Sequence, residues 1–308
     1  MTKHLVKYLY AMNPLLVVGS ANADLVMRVG RFPTPGETLT ADSFATFPGG
    51  KGANQAAAAS LRGVPTALCG AVGQDSLGDF LMAELAHRHV QLEHLARIES
   101  PTGTALILVN AEAENQIVIA PGANAQLTAA HVNMAIQAMD PSILLVQLEV
   151  SDEAVAAAMR SGRRVLLNPA PYRPLDPSLL AHCEVIIPNE TEFRQLTGAD
   201  PTDTDHRREG AAWLHRHGVK HVCVTLGARG CWWSDGQHEI MVPAPAVKPV
   251  DTTGAGDALS GVLAAEMTRG TPMKEALTIA VTAASYSTTR AGAMASYLTE
   301  SELLPLIS

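Results

Sequence analysis

The stretch Ile143-Leu144-Leu145-Val146-Gln147-Leu148-Glu149, read with the hundred residues after it, decides the fold. An apolar run opens into polar residues, as a buried strand does at its exit. After it come an Ala-rich helical segment over 153–160, the apolar run Arg164 to Leu167, a Pro-rich loop and a third run, Val185 to Ile187. Helical patterns around 190–197 and 208–217 lead to the strand His221 to Thr225. Short strands separated by helices call for βαβ units with helices on both faces of the sheet. The expected fold class is α/β: a three-layer body with a central, mostly parallel sheet. The 308 residues suffice for one main domain with a substantial core.

Upstream, Leu15 to Val18 reads as the first buried strand. Between residues 24 and 48, and again between 101 and 119, the pattern changes. There Leu25 to Val29, Thr38 to Thr46, Gly103 to Val109 and Gln116 to Ile119 are strands with hairpin-like separations and no intervening helix. They are expected to form a small antiparallel sheet projecting as a lid, which would exclude water from the active edge.

A parallel sheet brings the C-terminal ends of its strands to one edge, so polar islands at strand exits converge there. Gly19-Ser20-Ala21-Asn22-Ala23-Asp24 follows the first strand, and Gln147-Leu148-Glu149 follows the apolar run Ile143 to Val146. Asn22, Asp24 and Glu149 are either solvated strand ends or the acceptors that a polyol needs. The cluster Pro48-Gly49-Gly50-Lys51-Gly52-Ala53-Asn54-Gln55 opens the helical Ala56 to Ala59. It is not a P-loop, because Lys51 is followed by Gly52 instead of Ser or Thr. Gly49 and Gly50 would let backbone N–H groups approach a neutral, hydroxyl-rich ligand, with Asn54 adding an amide.

The run Asp251-Thr252-Thr253-Gly254-Ala255-Gly256-Asp257 precedes Ala258, Leu259, Val262, Leu263 and Met267 at helical spacing. A plain turn and helix cap would use the same residues. The alternative is a turn that aims N–H groups and the positive end of a helix at an anion, with Asp257 taking a proton from a hydroxyl. Asn189 and Glu192, after the strand-ending Pro188, are either a capping box or a pair near Mg²⁺ or a nucleotide phosphate. Gly227-Ala228-Arg229-Gly230 is a glycine-bracketed turn after Thr225, suited to wrapping a nucleotide at the same edge.

Taken together, these segments identify the chain as resembling the ribokinase-like carbohydrate kinases, from Leu15 to its C-terminal helix. The motifs at 49–54 and 251–257 match the two family signatures. Pro33-Thr34-Pro35-Gly36-Glu37, Pro121-Gly122-Ala123-Asn124, Asn168-Pro169-Ala170 and Pro188 to Glu192 extend the likeness. The resemblance implies ATP-dependent phosphorylation of D-ribose at its 5-hydroxyl, in a Rossmann-like body whose β lid also forms a homodimer interface. It implies Asp257 as base, with the N–H groups of Gly254, Ala255 and Gly256 as anion hole. Asn22, Asp24, Gly50, Lys51, Asn54 and Glu149 match the sugar pocket. Asn189, Thr225, Gly227, Arg229, Gly230, Gly256 and Val281 match the nucleotide side, with Glu192 influencing Mg²⁺. A K⁺ activator site maps to Asp251, Thr253, Ser287, Arg290, Gly292 and Ser296. Two departures stand out: Val281 replaces a polar family residue, and Gly292-Ala293-Met294-Ala295-Ser296-Tyr297 lacks the expected Pro.

A formal charge of −8 with no long basic run argues against a nucleic-acid partner. No apolar stretch is long enough for a spanning helix, so no membrane role is expected. Cys69, Cys183, Cys223 and Cys231 lack zinc-ligand spacing and are expected as buried or half-buried thiols. Residues 1–11 read as an extension ahead of a kinase domain over 12–308, and the cytoplasm is the expected location. A 2-deoxyribose or nucleoside kinase of the same fold is the main alternative, and a non-catalytic sugar-binding protein a remote one. A dehydrogenase is disfavoured, because Gly19 to Asp24 is no Gly-x-Gly-x-x-Gly turn.

Overall fold

A computed structural model describes residues 14–112 and 114–307, so the extension expected over 1–11 lies outside the described residues. In chain order the strands are β1 (Leu15–Val18), β2 (Asn22–Arg28), β3 (Ser43–Gly49), β4 (Thr66–Gly73), β5 (Leu95–Ile98), β6 (Gly103–Val109) and β7 (Asn115–Ala120). They continue as β8 (Ile143–Val146), β9 (Arg164–Leu167), β10 (Cys183–Ile186), β11 (His221–Thr225), β12 (Cys231–Ser234) and β13 (Glu239–Val242). The helices are α1 (Lys51–Leu61), α2 (Ser76–His87), α3 (Ala129–Met139), α4 (Asp152–Met159), α5 (Glu190–Thr197), α6 (Thr204–Arg216), α7 (Ala255–Arg269), α8 (Met273–Ser287) and the short α9 (Glu300–Leu303).

A nine-stranded sheet in the order β13-β12-β11-β10-β9-β8-β1-β4-β5 forms the middle layer. Its strands run parallel except at one edge, where β12 is antiparallel to both β11 and β13. Side-chain alternation along the buried strands splits the core in two. Leu15, Val17, Ile143 and Leu145 pack under α1, α2, α7 and α8. Leu16, Val18, Leu144 and Val146 pack under α3 to α6. These continuous apolar runs form strands because both faces are covered, leaving no solvated side to alternate with.

Between α1 and α7 the packing is unusually close. A Cβ added at Gly261 would press on the Gln55 carbonyl and come within 2.8 Å of the Ala58 Cβ. The missing side chain at Gly261 and the small residues Ala56 to Ala59 therefore let the two helices approach. Arg62 and Glu266, joined at 2.7 Å and almost fully buried, tie their C-terminal ends together. The opposite ends consequently meet at the C-terminal edge of the sheet, where the polar islands lie.

The lid is a four-stranded sheet in the order β3-β2-β6-β7. The expected antiparallel arrangement needs correction: β2 pairs with β6 in parallel, flanked by antiparallel β3 and β7. Both β2 and β6 leave the body outward, and β3 and β7 bring the chain back, so the two outgoing strands lie side by side. β2 also begins at Asn22, earlier than the apolar pattern predicts. Pairing with β3 and β6 from Asn22 onward extends the strand through polar residues, so Asn22 and Asp24 are carried by the lid. Helix α6 likewise begins before residue 208, because Asp203 caps its polar first turn through the Asp205 and His206 N–H groups. All four cysteines are free and buried.

Candidate active site

At the head of α7, Gly254 is the N-cap in the left-handed conformation, φ 77°, and no side chain caps the helix. The first ladder bond runs from the Ala258 N–H to the Gly254 carbonyl, 2.8 Å. The Gly256 and Asp257 N–H groups lie ahead of that ladder, at the positive end of the helix. They border a cleft of about 190 Å³ that Lys51, Asn168, Asn189, Glu192, Thr225 and Asp257 also line. Tyr297, to which the sequence reading assigned no role, donates its hydroxyl to the Gly254 carbonyl at 3.0 Å and braces this turn.

Asp257 is buried, and each of its carboxylate oxygens accepts an amide from α1. Asn54 Nδ2 lies 2.9 Å from Oδ2, and Gln55 Nε2 lies 2.9 Å from Oδ1. Gln55 stands in the glycine motif, yet its sequence pattern assigns it no role. Helical spacing alone could not reveal one, because a Gln one residue beyond Asn54 projects elsewhere unless a second helix packs close.

On the lid side, Asp24 lies opposite Phe47 and Ala105 in the strand register. Its carboxyl accepts no hydrogen bond among the described residues. Burial first, and then the charges of Glu149 and Asp257, push its pKa up to about 7. Asn22 Oδ1 accepts from Asn124 Nδ2 at 2.7 Å, which leaves the Asn22 amide nitrogen without a partner among the described residues. Asn124 is itself held by the Ala21 N–H at 2.9 Å.

Glu149 accepts from the Lys51 N–H at 3.0 Å and from Ser20 Oγ at 2.5 Å. Its charge thereby sits at the start of α1, whose N-cap is Gly50 and which has no side-chain cap. The Lys51 ammonium is held above its usual range chiefly by Asp257. Burial opposes that shift, and Glu149 and Glu192 reinforce it. One cation is thus influenced by three carboxylates.

Asn189 and Glu192 form the capping box. Asn189 Oδ1 accepts the Glu192 N–H at 2.8 Å, and Glu192 Oε2 accepts the Asn189 N–H at 2.9 Å. Glu192 nevertheless also lines the cleft, so the capping and ligand-facing readings are compatible. Burial raises its pKa against the pull of the Asn189 N–H and Lys51. Thr225 lines the same cleft, whereas Gly227 and Arg229 lie in the turn between β11 and β12. Gly230 ends that turn, and the Arg229 guanidinium pairs with Glu190 in solvent. Val281 is buried in the core on α8 and does not border the cleft.

In the loop mapped to a monovalent cation, Asp251 accepts the Thr253 N–H at 2.9 Å and the Gly292 N–H at 2.8 Å. Burial works against its charge, but these bonds outweigh it and hold the carboxyl below its usual range. Ser287 and Ser296 donate their hydroxyls back to the Ala284 and Ala293 carbonyls, at 2.8 and 2.7 Å. Arg290 points away into an ion pair with Glu302, 2.9 Å. Among the described residues, no group of three His, Cys, Asp or Glu side chains is arranged to hold a metal.

Residues 12–300 match the model of the pfkB family carbohydrate kinases. The chain belongs to that family. As a pfkB family member it is an ATP-dependent carbohydrate kinase. It is 36% identical over 299 residues to a ribokinase of Haemophilus influenzae, covering 95% of this chain and 98% of the relative. It is 38% identical over 291 residues to a deoxyribokinase of Salmonella typhi, covering 92% and 95%. A ribokinase structure from Thermotoga maritima superposes with a TM-score of 0.88 at 31% identity, covering 96% of this chain and 99% of that one. The Arabidopsis thaliana ribokinase complexed with ribose and ATP gives 0.89 at 32% identity, with the same coverage. No helix among the described residues of this pfkB kinase is long and apolar enough to cross a membrane.

Proposed function

We propose that this kinase transfers the γ-phosphoryl group of ATP to the 5-hydroxyl of D-ribose, giving ribose 5-phosphate and ADP. The observation that carries the reading is the 2.9 Å bond from Asn54 to Asp257. It joins the two signature motifs at the uncapped head of α7, beside the cleft that Lys51 and Asp257 line together with Asn189, Glu192 and Thr225. Asp257 accepts the hydroxyl proton as the oxygen attacks phosphorus in line. The N–H groups of Gly254 and Gly256, joined by that of Ala255 once it leaves its 3.3 Å bond to the Thr252 carbonyl, stabilise the charge on the transferring phosphoryl oxygens. Asn22, Asp24, Gly50, Lys51, Asn54 and Glu149 hold the sugar, and the lid excludes water as a competing acceptor.

Asn189, Thr225, Gly227, Arg229 and Gly230 flank the nucleotide, and Val281 supports the base region from the core. Glu192 suits Mg²⁺ held through its waters, since it offers one buried carboxylate in the cleft. When bound, Mg²⁺ neutralises phosphate charge. Asp251 suits a K⁺ site completed by backbone carbonyls of Thr253, Ser287, Arg290, Gly292 and Ser296, because both serine hydroxyls are engaged elsewhere. A cation there steadies the turn at Gly254. We further propose a homodimer through the lid, on which Phe44, Leu106, Ile117 and Val118 are exposed. Its work is placed in the cytoplasm, where ATP is supplied.

Ribose is preferred over 2-deoxyribose on the chemistry of the lid. Asn22 offers an unpaired amide donor and Asp24 an unpaired acceptor to adjacent hydroxyls, and a sugar lacking one leaves a buried group unsatisfied. Likeness to a deoxyribokinase makes 2-deoxyribose the second reading. The test is kcat/KM for ribose, 2-deoxyribose, fructose and nucleosides with ATP and Mg²⁺, with and without K⁺. Preference for 2-deoxyribose overturns the substrate, and no ADP from any sugar overturns the reaction.

A further inference from the structure

Behind Asp257 lies a chain of buried amides, of which Asn168 borders the cleft whereas Gln55 and Gln147 do not. Gln55 and Gln147 are fully buried, each at 0% exposure. Gln55 Nε2 donates to Asp257 Oδ1 at 2.9 Å and to Asn168 Oδ1 at 3.0 Å. Gln147 Nε2 donates to Gln55 Oε1 at 2.5 Å. Asn168 Nδ2 in turn donates to the Ile187 carbonyl at 2.8 Å.

The direction of the links through Gln55 and Gln147 is set by Asp257. An ionised carboxylate can only accept, so Gln55 must present its NH₂ end there. Its carbonyl end then faces Gln147, which must answer with its own NH₂ end. That leaves Gln147 Oε1 buried without a partner, pressed toward Gly19 where a Cβ would collide with it. A buried unsatisfied carbonyl is costly in a native interior, which a merely space-filling residue would not require. The Ile187 carbonyl sets Asn168 the same way round, with its oxygen toward Gln55.

Resting on the proposed kinase chemistry, we infer that Gln55, aligned by Gln147 and Asn168, is a positioning residue that fixes the Asp257 carboxylate for proton acceptance. Asn54 orients one oxygen from the sugar side, and Gln55 locks the other from within the core. The carboxylate is then held against rotation from both sides.

The test is a double-mutant cycle on the full chain with ribose, ATP and Mg²⁺, using Q55M, Q147L, D257N and Q55M/D257N, each checked for folding by thermal melting. Q55M is expected to lower kcat roughly tenfold or more, the fold-change carried by one hydrogen bond to a charged group, with KM for ATP within about twofold. Q147L, which does not touch Asp257, lowers kcat by a smaller factor in the same pattern. In the D257N background, Q55M costs nothing further in kcat, because the group it acts through is gone. An equal loss in both backgrounds overturns the relay, as does wild-type kcat in a folded Q55M. Should Q55M fail to fold, Q147L and Q147L/D257N carry the same comparison. A sugar kinase with full D257N turnover instead overturns the base, and a wild type without sugar kinase activity overturns the function.

Discussion

Asn54 Nδ2 lies 2.9 Å from Asp257 Oδ2, although the two residues are 203 positions apart in the chain. Each comes from the first turn of a different helix, and the two helix heads meet because Gly261 lets their shafts approach. The pairing sets the amide proposed to bind the sugar directly against the carboxylate proposed as base, the arrangement that transfer to an alcohol would need.

Replacing Asp257 with Asn keeps the shape while deleting the base, and its single carbonyl oxygen can accept only one of the two amides that Asn54 and Gln55 present. Turnover is expected to fall at least about 10²-fold, the lower end of general-base contributions, with sugar and ATP binding retained. Steady-state kinetics and calorimetry on the purified variant check this. Near-normal kcat with both ligands bound would make the carboxylate structural.

If Asp24 holds the sugar as proposed, sugar affinity and stability are expected to depend on pH in opposite senses. Its folded pKa of about 7 stands above the ordinary aspartate value of 3.8, so the folded state keeps a proton that the unfolded chain has released. Stability therefore falls as pH rises from about 4 to 7 and levels off above that. Ribose affinity rises through the same upper range, because the ionised carboxylate is the better acceptor. D24N is expected to be more stable than wild type by ~1–3 kcal/mol at pH 8, with no gain near pH 4, and to lose sugar affinity. Urea melts at both pH values decide it; identical pH dependence in the two proteins would remove Asp24 as the source.

Gly254 and Gly256 are expected to fail in different ways. A Cβ on Gly254 would face the Tyr297 hydroxyl at 2.6 Å, at φ 77°, so G254A should lose ~1–3 kcal/mol of stability. A Cβ on Gly256 meets nothing within 4 Å, because it projects into open space. G256A should fold normally yet lose roughly 10²-fold in kcat/KM for ATP, since a methyl group displaces the phosphate from the N–H groups. Thermal melts beside kinetics separate the two effects, and full activity in G256A would exclude close phosphate approach there.

The lid exposes apolar side chains, the surface proposed to pair with a second copy of this chain. Ile117 is 52% exposed and Val118 69%, on alternate faces of β7. A chain with both replaced by Glu is expected to run as a monomer in light scattering where wild type runs as a dimer. A monomeric wild type would dispose of the lid interface.

What could be read from the sequence is local. The runs at 15–18, 143–146, 164–167 and 221–225 are strands because each is short with an apolar centre, and the helices between them make the sheet parallel. The glycine turn at 254–256, the carboxylate after it and the Asn189–Glu192 box are likewise set by neighbours a few residues apart. Tertiary structure alone decided what crosses the chain. The parallel pairing of β2 with β6 depends on both strands leaving the same edge, which no local pattern encodes. Asn22 and Asp24 belong to the lid because β3 and β6 extend a polar segment into a strand. Gln55, Gln147 and Tyr297 acquire their contacts with Asp257, Gln55 and Gly254 only through helix approach and core packing. Amphipathic periodicity records which face of an element is buried, and it is silent on which distant polar atom waits on that face.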